Sequence, residues 1–178
     1  VFRWAAAALG VYDIPGGRKM HGRATPLLGG GAVFFGFAVA MMANGIYSEK
    51  LEIVLIASFV IFAVSLVDDI REIPAWIKLA VQLGCVLVVM SRGIVLRVMP
   101  VDFGLSAAVV NYCLTVLWIV GITNAMNFFD GMNGLASGLG AIIAFFLGVV
   151  AFQTDPAFIG WLAVAVVGGC LGFFPYNF

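Results

Sequence analysis

Asp68 and Asp69 are consecutive carboxylates at the end of an apolar stretch, residues 51–67, in which Glu52 is the one charge. Paired acids held at a membrane surface can organise a divalent cation or take a proton from a phosphate. Neighbouring helical residues point about 100° apart, so both carboxylates can serve one site only near a helix end. Lys78 follows at the start of the next apolar stretch. There it supplies a counter-charge for phosphate or snorkels to the membrane edge.

Two further segments carry patterned polar groups. Asn124, Asn127 and Asp130 recur every three residues, within about 120° of one helix face, before Gly131 and Gly134 release the backbone around Asn133. Amides both donate and accept, which suits a sugar or a nucleobase, and a carboxylate can fix a hydroxyl or a metal. A helix cap alone would not need polar groups at this regular spacing. Near the start, Arg18, Lys19, His21 and Arg23 crowd four donors into six residues, among prolines and glycines that break any helix. A phosphate-binding loop and a set of juxtamembrane cations drawn to anionic lipid both fit that composition.

These groups need membrane elements to position them. Hydrophobic residues make up 63% of the chain, charged ones 10%, and the mean hydropathy is +1.14, which excludes an ordinary soluble domain. Apolar stretches at 28–42, 51–67, 75–90, 105–122, 135–152 and 157–174 predict an all-α integral membrane protein, a polytopic bundle of about six spans. The alternation in residues 94–98 admits a short β-hairpin in the outer loop 93–103.

The net charge is zero, so no bulk field points to nucleic acid, and the expected partner surface is the lipid bilayer. Alternating the six spans puts Arg3, Arg18, Lys19, Arg23, Arg71 and Lys78 on one side and only Lys50, Arg92 and Arg97 on the other. The positive-inside rule then places Asp13, Asp68, Asp69 and Asp130 on the cytoplasmic face. Cys85, Cys113 and Cys170 lie within apolar stretches, in no metal or disulfide spacing. With no internal repeat, the economical division is one transmembrane domain over residues 1–178. The missing initiator Met and signal layout predict an internal piece of a longer chain, truncated at both ends.

In this order the three segments resemble the polyprenyl-phosphate N-acetylhexosamine-1-phosphate transferases, which include the initiators of O-antigen and teichoic acid synthesis. Asp13, Pro15, Arg18, Lys19 and His21 match the family's D-x-P-x-x-R-K-x-H pattern. Asp68, Asp69 and Lys78, with Gln82 beyond, match its D-D pair with a downstream Lys. Asn124, Ala125, Asn127, Asp130, Gly131, Gly134, Leu135 and Ala136 match N-A-x-N-x-x-D-G-x-[DN]-G-L-A. The resemblance covers essentially the whole chain.

It implies that undecaprenyl phosphate attacks the β-phosphate of a UDP-N-acetylhexosamine, with N-acetylglucosamine the default sugar, releasing UMP and initiating cell-envelope polysaccharide such as lipopolysaccharide. It implies Mg2+ and a bacterial inner-membrane protein whose active site faces the cytoplasm, and it is compatible with a homodimer. By similarity Asp68 would deprotonate the lipid phosphate, and Asp69 would position metal or acceptor. Asn124, Asn127, Asp130 and Asn133 would organise the nucleotide sugar. Lys19, His21 and Lys78 would meet phosphate charge. Asp69 and Asp130 are the candidate metal ligands, with the main ligand expected beyond Phe178. A double displacement through an Asp nucleophile stays open.

Asn133 departs from the family's usual Asp and brings no negative charge. Later family motifs are not within these residues, so the 178 residues alone are expected to be inactive. Two rivals remain. An ion-coupled carrier would use the same acids, but the span centres offer only uncharged groups such as Ser58, Asn111 and Thr115. A non-catalytic scaffold would tolerate Asp68→Asn.

Overall fold

The computed structural model describes residues 12–13, 25–26, 29–130, 134–154 and 157–176. Among these residues six helices follow one another: α1 (Gly29–Ala43), α2 (Glu49–Ile70), α3 (Ala75–Ser91), α4 (Gly104–Asp130), α5 (Leu135–Thr154) and α6 (Ala157–Phe173). A two-stranded antiparallel pair precedes them, with Tyr12 opposite Pro26 and Asp13 opposite Thr25. Among the described residues four segments are long and apolar enough to cross a membrane: Glu49–Ile70, Gly104–Asp130, Leu135–Thr154 and Phe158–Tyr176. The other apolar helices, Gly30–Ala43 and Ala75–Ser91, are shorter. Large side chains such as Leu105, Leu117, Trp118 and Phe128 lie exposed on these helices, as expected where the surrounding solvent is lipid.

Local chemistry sets the helix ends. Ser48 caps α2, its Oγ accepting from the Leu51 amide at 3.1 Å, while Glu49 and Glu52 complement the positive end of the helix. Pro74 precedes α3, where its missing N–H costs no hydrogen bond. Gly93 closes α3 with a φ of 76°, and its amide donates to the Met90 carbonyl at 2.9 Å. A side chain there would be strained, so glycine is the fitting stop.

The helices gather into two compact units, residues 1–47 with 129–178, and residues 48–128. In the first, α6 packs against α5 and α1 through small residues. A Cβ built on Gly148 would lie 3.2 Å from the Ala163 Cβ, and one on Gly169 would lie 3.3 Å from both Cγ1 and the carbonyl oxygen of Val33. Without a hydrophobic driving force between helices in lipid, such close backbone approach supplies the packing energy.

In the second unit α2 and α3 form an antiparallel pair, and α4 buries Ala107, Asn111 and Thr115 along one face. That face holds the segment expected to form a hairpin. No strand forms in 93–103. Instead the Val98 and Met99 amides donate to Asn111 Oδ1 at 3.0 and 2.9 Å, Asn111 Nδ2 donates to the Met99 carbonyl at 3.0 Å, and the Leu96 amide donates to Thr115 Oγ1 at 2.9 Å. Side chains of α4 satisfy the backbone groups that a cross-strand ladder would have used, so the hairpin is replaced by an extended segment clamped to a helix.

Candidate functional site

The second unit concentrates the chemistry at the junction of α2 and α3. Asp68 sits in the last turn of α2, half-buried, where both carboxylate oxygens are engaged. Oδ1 accepts from the Ile73 amide at 2.9 Å, which fixes the turn into α3, and Oδ2 accepts from Lys78 Nζ at 2.8 Å. Lys78 therefore does more than snorkel. It reaches back across the turn to form a charge-assisted hydrogen bond, and its ammonium keeps two further N–H donors.

Asp69 is exposed, on a different face of the same helix turn. Asp68 is thus turned toward a lysine and an amide, on a face that Asp69 does not share. Helical rotation of about 100° between neighbours is the cause.

Lys78 also lines a cavity of about 290 Å3 between α2, α3 and α4. Ile61, Val64 and Val81 supply apolar wall, while Ser65, Gln82, Asn124 and Asn127 supply polar atoms. Of the three regularly spaced groups on α4, Asn124 and Asn127 reach this cavity. Asn124 is occupied: its Nδ2 donates to Gln82 Oε1 at 2.7 Å and to the Val120 carbonyl at 2.8 Å, and its Oδ1 accepts from Gln82 Nε2 at 3.4 Å. Asn127, three residues further along the helix, makes no side-chain hydrogen bond among the described residues. Its amide is available to a ligand.

Asp130 is the last residue of α4 and belongs to the other compact unit. Lys19, His21 and Asn133 lie outside the described residues. Sequence reasoning quoted Gln82 only as part of a pattern and gave it no role. Its signal was present: it is the one amide on α3, four residues and one helical turn after Lys78.

The metal question turns on donor chemistry. Among the described residues no group of three or more His, Cys, Asp or Glu side chains converges to hold an ion. Mg2+ needs less from the protein, since one or two carboxylates suffice when water and substrate phosphate complete its shell. An exposed carboxylate at a helix end, such as that of Asp69, is a group of that kind. Together the described residues offer a carboxylate–ammonium pair, a free amide and a partly polar cavity beside apolar helices, a set suited to phosphate-bearing ligands of mixed polarity.

Residues 51–178 match the model of the family described as glycosyl transferase family 4. The chain is 36% identical over 177 residues to a Bacillus subtilis protein named probable undecaprenyl-phosphate N-acetylglucosaminyl 1-phosphate transferase, covering 97% of this chain and 49% of that protein. It is 34% identical over 201 residues to a decaprenyl-phosphate N-acetylglucosaminephosphotransferase of Mycobacterium tuberculosis, covering 99% of this chain and 49% of the relative. A phospho-N-acetylmuramoyl-pentapeptide-transferase of Clostridium beijerinckii is 28% identical over 179 residues, covering 90% and 55%. The chain spans about half the length of the curated relatives it matches. No solved structure matches it.

Proposed function

This chain belongs to glycosyl transferase family 4, and from that premise we propose that the full-length protein transfers an N-acetylhexosamine 1-phosphate from a UDP-sugar to undecaprenyl phosphate, releasing UMP. The observation that carries the reading is the Asp68–Lys78 pair at a helix end, with Lys78 opening into a cavity that also holds the Asn127 amide. N-acetylglucosamine is the sugar of choice, because the relatives named for it are 36% and 34% identical and the muramoyl-pentapeptide relative 28%. The product would initiate a cell-envelope polysaccharide.

The chemistry asks little covalent work of the protein. An oxygen of the lipid phosphate attacks the β-phosphorus of the nucleotide sugar, a new P–O–P linkage forms, and the bond from that phosphorus to the UMP oxygen breaks. UMP leaves with the electron pair. Catalysis then rests on alignment, charge neutralisation and removal of the acceptor's proton. Asp68 is assigned the proton, since its carboxylate retains acceptor capacity beyond its two existing bonds. Lys78, through its two remaining donors, and Asn127 are assigned to phosphate and diphosphate oxygens. Lys19, His21, Asp130 and Asn133 take their roles in phosphate and nucleotide binding from the family pattern alone.

Asp69 would be a ligand to Mg2+, which when bound would offset diphosphate charge. A lipid acceptor that stays in the bilayer and a soluble nucleotide sugar meet naturally at helix ends, and the bias of basic residues supports a site on the cytoplasmic face of the bacterial inner membrane. The carrier reading is disfavoured by a specific observation: Asn111 and Thr115, the polar groups inside α4, are consumed by the clamp on residues 96–99. Incubating the full-length protein with Mg2+, undecaprenyl phosphate and a panel of UDP-amino sugars tests the proposal through UMP release. Release with UDP-N-acetylglucosamine supports it, and silence across the panel refutes it.

A further inference from the structure

Gln82 is buried in α3, where an unpaired amide would be costly. It faces Asn124 of α4, and the two amides bond in both directions, at 2.7 and 3.4 Å. Asn124 spends its second N–H on the Val120 carbonyl. Both of its donors are therefore used within the protein, and it has none left for a substrate.

The position of this amide pair matters. Gln82 meets Asn124 and, beyond the end of α3, Leu96 meets Thr115, so α3 and α4 run in opposite directions; Lys78 lies one turn from Gln82 toward the start of α3, while Asn127 lies three residues from Asn124 toward the end of α4. Both therefore stand on the same side of the pair, and all four residues line one cavity. Lys78 gives one N–H to Asp68, and Asn127 has its amide free.

We infer that Gln82 is a positioning residue: with Asn124 it forms an amide clip that sets the separation of Lys78 and Asn127, so that an ammonium and a free amide meet the diphosphate of a nucleotide sugar. Asn124 acts through Asn127 and does not touch the substrate. The inference rests on the transferase reading above and deepens it.

Gln82→Leu, made in the full-length protein, keeps most of the side-chain volume and removes both hydrogen bonds. The expected result is a rise of about tenfold in KM for the UDP-sugar, the equivalent of a lost hydrogen bond, with KM for undecaprenyl phosphate unchanged. Asn124→Leu should do the same, and the double variant should be no worse than either single one. Should Gln82→Leu fail to fold, Gln82→Asn tests the same point, because it stays polar but withdraws the amide by one methylene. It should raise the donor KM, and adding Asn124→Gln should restore the reach and bring KM to within about threefold of wild type. An unchanged donor KM in these variants overturns the inference. So does a loss of activity that follows only the folded fraction in thermal unfolding, or a double exchange that restores nothing. Wild-type protein that releases no UMP would refute the transferase reading itself, whereas wild-type turnover with indifferent Gln82 and Asn124 variants would refute only the clip.

Discussion

Replacing Asp68 with Asn separates the two tasks that the fold gives this side chain. Its Oδ1 accepts from the Ile73 amide and its Oδ2 from Lys78. Asn can keep the first bond, but its NH2 would then face the ammonium donor to donor, so Lys78 must swing away. A charge-assisted hydrogen bond is worth about 1.5–3 kcal/mol when shielded. The Lys78 and Asp68 side chains are 33% and 24% exposed, so solvent screening reduces the expected stability loss to about 1 kcal/mol. Loss of a general base costs about 100- to 10,000-fold in rate. Turnover should thus collapse while the fold survives. The assay is UMP release at saturating substrates, run beside thermal unfolding of the same preparations of full-length protein. Turnover of Asp68→Asn within about twofold of wild type would refute the assignment of the proton to Asp68, because no screening argument reaches that far.

Other outcomes follow from the same geometry. Lys78→Met should raise KM for the phosphate substrates, with about a tenfold smaller kcat/KM, measurable in the same UMP assay. Asn111→Leu abolishes three hydrogen bonds to residues 98 and 99, and should cost about 2 kcal/mol and open that segment to limited proteolysis. Gly169→Ala drives a methyl against Val33 and should cost about 1–3 kcal/mol in thermal unfolding. Gly168→Ala, with nothing within 4 Å of the added carbon, is the matched control and should be close to neutral. Chelation with EDTA should abolish UMP release, and added Mg2+ should restore it.

The helices were legible because their signals are local. Runs of apolar residues fix the spans, and Ser48, Pro74 and Gly93 punctuate them as capping physics requires. The fourth helix extends past its apolar stretch to Asp130, so the Asn124–Asn127 repeat sits on a continuous helix, as its spacing implied. The segment 94–98 misled because alternation describes a strand's side chains and says nothing about which groups will take its amides. Asn111 and Thr115 took them, from more than ten residues away.

The engagement of Asp68 by Lys78 and the Ile73 amide was likewise hidden, since it depends on how α3 turns back from the end of α2. The least legible feature was the Gln82–Asn124 pair. Forty-two residues separate its members, and only the folded chain brings the two amides into hydrogen-bond contact beside a cavity.

The most direct test of the transferase account is a single measurement: UMP formed by full-length protein from UDP-N-acetylglucosamine and Mg2+, with and without undecaprenyl phosphate. The account predicts UMP release that depends on the lipid, accompanied by lipid-linked sugar in equal amount. UMP release indifferent to the lipid, or none with any UDP-amino sugar, would contradict it.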